Sequence, residues 1–407
     1  YPLRRQRQMC IRDRIHAILE EFGLPYFFSK YIEKEAINIS KQVKKDENRI
    51  DLRNTLTFTI DPEDAKDFDD ALSFKKLKNN NTEVGIHIAD VTHYLKENTP
   101  LDDEAKKRGT SVYLADRVVP MLPETLSNDL CSLNPHQDKN VFSVIVEFDK
   151  QHKIKNTKFV KSTINSNERM SYEEVQYILD SEDKSVTADV SLSGQSYSVS
   201  EEIYSALLKL NSYAKLLREK RMKKGALSLD RVEVKFDLDK HDNPSSIYFK
   251  TSKDANKLVE ELMLLANRRV AEFIGKLKQK KPFVYRVHDL PDEDKLTNLQ
   301  NVAKNLGYQL DLNSNEINKS LNILLQESHG KSEQQLIDTL TIRAMSKAVY
   351  TTDNIGHYGL AFEHYTHFTS PIRRYPDVLV HRLLESYING HNNICLLYTS
   401  PSPRDRG

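Results

Sequence analysis

From Thr55 to Ile60 the chain alternates β-branched and apolar residues with the period of two that a half-buried strand requires, and Val84–Ala89 reads as a second strand. Between them lie an acidic loop, Asp61–Asp70, and a Lys/Asn-rich turn, Lys75–Thr82, so the two strands are expected to pair as a hairpin. Val141–Phe148 and Ile154–Ile164 repeat the arrangement, turning near Gln151-His152. Ser171-Tyr172-Glu173-Glu174 has capping-box spacing and predicts a helix start. Residues 185–200 are serine-rich without apolar periodicity and read as a loop. Helical periodicity occupies 201–224, 254–281, 315–327, 333–350 and Pro376–Ile388, with strand-like runs at Val232–Phe236 and Phe283–Val287. The polar stretch before Asn48 is helix-prone. No internal repeat or domain linker is evident, and the mixture of hairpins and helices predicts a single α+β domain.

Composition changes this picture little. With 407 residues, 38% of them hydrophobic and 29% charged, the chain matches a soluble globular protein able to bury a substantial core. Its longest apolar runs, such as Val141–Phe148, are too short to span a membrane, and no apolar stretch follows the early arginines as a secretory signal would. A net charge of +1 neither supports nor excludes a nucleic-acid partner, because binding depends on where the charges sit.

The two ends look foreign to the rest. Cys395–Ser400 can be encoded by a DNA whose complementary strand, in a shifted frame, yields Gln8–Arg14, and that DNA resembles the end of a transposon-based sequencing adapter. Residues 1–14 and 395–407 are therefore expected to be non-native, leaving 15–394 as the native part, cut at both ends. Cys131 is then the lone native cysteine. It cannot form an internal disulfide, which fits a reducing cytoplasm.

The chemistry concentrates in Asp61-Pro62-Glu63-Asp64-Ala65-Lys66-Asp67-Phe68-Asp69-Asp70, where five aspartates and a glutamate fall within ten residues. Two like charges at ~4 Å repel by about 1 to 4 kcal/mol, so packing several into one loop is costly unless a cation lies between them. Hard divalent ions prefer such oxygens. The spacing alone leaves two readings open, a solvated acidic loop and a divalent-metal site. An EF-hand is disfavoured, because its glycine and terminal glutamate positions are unmatched.

Further segments accompany the loop: Gly85-Ile86-His87-Ile88-Ala89-Asp90-Val91; Gly109-Thr110-Ser111-Val112-Tyr113-Leu114 leading into Val119-Pro120-Met121-Leu122-Pro123-Glu124; Leu258-Val259-Glu260-Glu261-Leu262; and His367-Phe368-Thr369-Ser370-Pro371-Ile372-Arg373-Arg374-Tyr375-Pro376-Asp377. Taken in order from about residue 48 to 390, these resemble the signature segments of the catalytic (RNB) domain of the ribonuclease II/R family. The resemblance implies a mixed β-sheet flanked by helices with a narrow RNA channel, and 3′-to-5′ hydrolysis of single-stranded RNA to nucleoside 5′-monophosphates by a cytoplasmic monomer. It implies two Mg²⁺ ions, with Mn²⁺ as substitute, held by Asp61, Asp67, Asp69 and Asp70, with Asp69 at the most critical catalytic position. Arg373 would grip the scissile phosphate, with Arg374 an open second choice. Tyr113 would stack on the 3′-terminal base, and Tyr172 and Glu260 would seat its ribose. For Glu260 the neighbouring Glu261 is an alternative register.

Bland readings stand beside these. Asp90 could support the metal site or cap a turn. His87, His93, His288 and His381 lack metal-ligand spacing and read as packing residues or as supports behind a site. The basic run Arg218–Lys224 could be a solvated helix end or line an RNA path. The chain also departs from the family pattern, with Leu229 where relatives often carry a base-stacking aromatic and without visible cold-shock-like or S1 domains. Two functional rivals are a catalytically silent RNA-binding relative and a metal-dependent phosphatase of small substrates.

Overall fold

The computed structural model describes residues 19–41, 48–114, 117–228, 233–238, 244–312 and 317–391. The foreign-looking ends, Leu229 and Val232 lie outside them. In chain order β1 spans Ile50–Asp51, β2 Thr57–Asp61, β3 Asp70–Lys76, β4 Thr82–Ala89, β5 Val112–Tyr113, β6 Val118–Val119, β7 Asp138–Phe148, β8 Ile154–Asn165 and β9 Glu168–Ser171. Seven of these form one mixed sheet in the order β1-β8-β7-β4-β3-β2-β9. The outermost pairs, β1 with β8 and β2 with β9, are parallel, and the pairs between them are antiparallel.

The hairpin expected between Thr55–Ile60 and Val84–Ala89 does not form, because β3 lies between its two arms. Ala71-Leu72-Ser73-Phe74 alternates as a strand should, but Asp69-Asp70 on one side and Lys75-Lys76 on the other disguise it as loop. Its buried Leu72 pairs in register with Phe58 and Ile86, so cross-strand apolar contact outweighs the flanking charges.

Alternation along the strands sends adjacent residues to opposite faces. Phe58, Ile60, Leu72, Ile86, Ile88, Phe142 and Val144 pack against three helices: α4 (Tyr172–Ser181), α5 (Glu201–Lys223) and α6 (Asp254–Gly275). Their sequence neighbours Ala71, Ala89 and Val141 join a second apolar cluster. That cluster is completed by α1 (Lys30–Lys41), α3 (Pro100–Arg108), the segment Met121–Leu133 and the start of α10 (Tyr375–Ile388). The short α2 (Val91–Tyr94) follows β4 directly. The predicted α+β class, a mixed sheet flanked by helices, thus holds.

Other boundaries shift. The helix expected over 254–281 ends at Gly275, and the one over 333–350 stops at Ala344 (α9, Gln334–Ala344). The strand Val349–Thr351 begins within the second remainder and pairs with Tyr285–Val287, inside the strand-like run expected at Phe283–Val287. Helix α8 (Ile317–Ser328) matches expectation, whereas α3 and α7 (Glu293–Asn305) were not anticipated, since their polar faces dilute the apolar period. Helices α7, α8 and α9 share a small separate apolar cluster around Leu299, Leu324 and Ile337. The serine-rich 185–200 loop contains a two-residue pairing of Ser185-Val186 with Tyr197-Ser198, too short to leave a pattern. The strand expected near Val232–Phe236 is present as Glu233–Leu238, paired with Pro244–Lys250.

Candidate active site

Strand β2 ends at Asp61 and its antiparallel neighbour β3 begins at Asp70, so the acidic loop joins two adjacent strand ends. The loop's second half is fastened from below. Ser132 Oγ accepts from the Phe68 N–H at 3.0 Å and donates to the Lys66 carbonyl at 2.8 Å, while Leu133 N–H donates to Phe68 O. Phe68 is buried, and Ala89 N–H donates to Asp69 O.

The loop meets the far end of the chain directly. Asp69 is buried, and its Oδ1 accepts from the Ile372 N–H at 2.9 Å while its Oδ2 accepts from Arg373 Nε at 3.2 Å. Arg373 also donates through Nη2 to Ser370 Oγ, and its carbonyl accepts from Ser111 N–H and Thr110 Oγ1. Asp377, in the first turn of α10, accepts from Ser370 N–H and so steadies the turn carrying Arg373. The Thr110-Ser111 anchor leads into β5, where the half-exposed Tyr113 donates from its hydroxyl to Asp67 Oδ2 at 3.0 Å. Tyr172 opens α4 one residue after Ser171, which pairs across β9 and β2 with Asp61, so its phenol lies within the field of Asp61 and Asp70.

Burial dominates the electrostatics. It pushes the Asp69 carboxyl up to about 8 against the opposing pull of Arg373, and Asp70 up to about 6 against the same arginine. Asp61 is raised well above the usual carboxylate range, first by burial and then by repulsion from Asp70. Burial likewise raises the phenols of Tyr113 and Tyr172, reinforced by Asp67 beside the first and Asp70 beside the second, so both stay protonated at neutral pH.

Four carboxylates thus gather where metal ligation was expected, but they do not form a finished cage. Among the described residues no three carboxylate, imidazole or thiolate groups converge as metal ligands. Like charges turn onto whatever donors are near: Asp69 onto the Arg373 turn and Asp67 onto Tyr113. Asp61 and Asp70 remain, and Asp61 Oδ2 is buried without a hydrogen-bond partner. An orphaned carboxylate oxygen among repelling neighbours, in a donor set made wholly of carboxylates, fits a hard divalent cation.

Other candidates sit apart from this cluster. Arg374 donates to Asp377 Oδ1 at 2.8 Å in a buried ion pair at the start of α10. Glu260 lines a cavity of about 960 Å³ whose wall also carries Arg218, Arg221, Lys295, Arg343 and Lys347, and no acidic-loop residue lines that cavity. Glu261 is the buried neighbour, paired with Arg221 at 2.5 Å, while Glu260 lies 3.7 Å from the same guanidinium. The basic run at the end of α5 therefore reaches a cavity wall through Arg218 and Arg221.

Asp90 is held by Arg49 at 2.6 Å and Lys161 at 2.8 Å and belongs to a structural ion cluster, with His93 beside Arg49. His87 bridges Ser73 and Ser143, His381 contacts the Phe368 carbonyl and His288 the Ser346 carbonyl. Sequence reasoning missed Ser370, Asp377 and the Ile372 N–H. The Ser370-Pro371 and Pro376 helix-start signal was the cue that could have found them.

The RNB domain family profile matches residues 49–390. Ribonuclease R 1 of Lactococcus lactis is 39% identical over 376 residues, covering 92% of this chain and 44% of its own length. Ribonuclease R of Thermotoga maritima is 41% identical over 372 residues, covering 90% of this chain and 50% of its own. The chain spans about half the length of these curated relatives. Among solved structures, ribonuclease R of Mycoplasma genitalium in complex with ribose-methylated single-stranded RNA superposes with a TM-score of 0.82 at 31% identity, over 92% of this chain and 57% of that one.

Proposed function

The chain belongs to the RNB domain family, and from that premise we propose that it is the catalytic core of a 3′-to-5′ exoribonuclease that hydrolyses single-stranded RNA to nucleoside 5′-monophosphates. The observation that carries this reading is the contact between Asp69 and Arg373. It fuses an acidic loop and a phosphate-sized cation into one unit across 304 residues of sequence.

Each side chain then has a task. Tyr113 offers an exposed ring face on which any terminal base can stack, which suits a sequence-tolerant enzyme. Tyr172 keeps its phenolic proton and can donate to the terminal nucleotide. Asp69 aims the Arg373 fork, whose planar donors suit phosphate oxygens and the charge that builds on them during hydrolysis. Magnesium, or manganese in its place, held by Asp61, Asp67 and Asp70 with Asp69 alongside, would supply charge neutralisation and an acidified water there. The basic wall containing Arg218 and Lys295 would receive the upstream backbone, with Glu260 accepting from a ribose 2′-hydroxyl. The protein acts as a monomer. No helix among the described residues is long and apolar enough to cross a membrane.

Incubating the chain with 5′-labelled single-stranded RNA tests this directly. Shortening from the 3′ end is expected with Mg²⁺ and none with EDTA. Asp69→Asn should retain RNA binding while turnover falls by at least about 100-fold, the scale of losing one pre-organised electrostatic group. Wild-type binding without metal-dependent shortening would favour a silent RNA-binding relative. Release of phosphate from nucleotide monophosphates, with RNA untouched, would favour a small-substrate phosphatase.

A further inference from the structure

The acidic loop has a second fastening, made by a residue outside it. Arg169 lies on β9, in parallel register with Thr59 and three residues before Tyr172. Its Nη2 donates to the Glu63 carbonyl at 2.7 Å, with the Ala65 and Pro62 carbonyls at 3.4 and 3.5 Å. The same guanidinium lies 4.9 Å from the centre of the Phe68 ring. One side chain therefore gathers the first half of the loop and braces the second. Ser132 and Leu133 hold Lys66 and Phe68, but they do not reach Pro62–Ala65. Apart from Arg169, the bond that holds that stretch among the described residues is the turn bond from Ala65 N–H to Pro62 O.

We propose that Arg169 is a positioning residue for the divalent-cation site, setting the loop's shape, and with it the cation affinity, without touching cation or RNA. The inference rests on the reading of the acidic loop as a metal site. Its physical basis is pre-organisation. Four repelling carboxylates at the two ends of one loop bind a cation tightly only if the backbone between them is already shaped. Planar guanidinium chemistry is needed, because the donor edge must meet carbonyls while the face meets an aromatic ring. A lysine can place a charge there but cannot make both contacts.

The test compares wild type, Arg169→Ala and Arg169→Lys in the full 407-residue chain. Mn²⁺ binding is read without RNA from the electron paramagnetic resonance of the free ion. Mg²⁺ dependence of RNA hydrolysis is read separately. The alanine variant is expected to bind Mn²⁺ about tenfold more weakly, the usual scale for removing a group that orients metal ligands, and the lysine variant about threefold. Half-maximal Mg²⁺ should rise in parallel, while kcat at saturating Mg²⁺ and RNA binding in EDTA stay within about twofold of wild type. The lysine variant keeps the test open should the alanine variant fail to fold. Unchanged Mn²⁺ affinity in folded variants, even with a lowered melting temperature, overturns the assignment and leaves a merely structural arginine. Absence of Mn²⁺ binding by the wild type instead overturns the metal-site reading beneath it.

Discussion

At the scale of single residues, the site is defined by charges that the fold makes costly. Asp69 at about 8 and Asp70 at about 6 both lie above the ordinary aspartate value, and burial is the main cause of each. A carboxyl whose folded value is raised weakens the fold above that value, where it must ionise, and the penalty is relieved as pH falls through it. In EDTA the cluster should therefore contribute a rising melting temperature as pH is lowered from about 8.5 to about 6. Bound Mg²⁺ takes the place of those protons, so the melting-temperature increment it confers should be largest near pH 8 and shrink toward about pH 5. Scanning fluorimetry with and without Mg²⁺ reads this, and an increment independent of pH would contradict the account. Residue scale is also where the sequence was most ambiguous. Arg373 and Arg374 are adjacent and chemically identical, yet one grips Asp69 and faces the site while the other is buried against Asp377.

Secondary-structure elements explain how the residues are delivered. The capping box expected from Ser171-x-x-Glu174 is present in full, with Ser171 Oγ accepting from Glu174 N–H and Glu174 Oε2 accepting from Ser171 N–H. The other glutamate oxygen accepts from Leu192 N–H and pins the serine-rich loop. Because Tyr172 is the first residue of this helix, the cap fixes the base of a side chain proposed to contact substrate. Ser171→Ala should cost about 1 kcal/mol, seen as a lower urea midpoint with an unchanged slope. It should also weaken RNA binding more than it lowers kcat. A loss of stability with wild-type RNA affinity would separate the cap from the site. By contrast β3 was hidden, although it places Asp70 beside Asp61. A seven-residue strand bounded by charges at both ends reads locally as loop, and only its neighbours on both sides make it a strand.

For the whole molecule, a net charge of +1 conceals an uneven distribution. Carboxylates crowd one loop while Arg218, Arg221, Lys295, Arg343 and Lys347 share a cavity wall. Arg221 is paired with Glu261 and Lys295 with Asp292, yet cations outnumber carboxylates on that wall. Single-stranded binding loses about 0.7 log unit of affinity per log unit of salt for each phosphate neutralised. Asp69→Asn in EDTA should therefore show a negative slope, of about −0.7 for each phosphate the wall engages, for a short RNA by fluorescence anisotropy. A slope near zero would show that this wall takes no part.

Sequence alone determined the α+β class, the acidic loop, the capped start of α4 and the ordered set of segments, because each is a local pattern whose physics acts over a few residues. It also carried Tyr113, Tyr172 and Arg373 as candidates. Tertiary structure decided the rest. It placed β3 between the presumed hairpin arms and brought Asp69 against Arg373. It sent Glu261 inward and Glu260 to a cavity, since successive residues on a helix face directions roughly 100° apart. It also recruited Arg169 from a neighbouring strand to shape a loop it never adjoins in sequence. Such outcomes depend on which distant donors remain to satisfy a buried charge, and only the packed chain settles that.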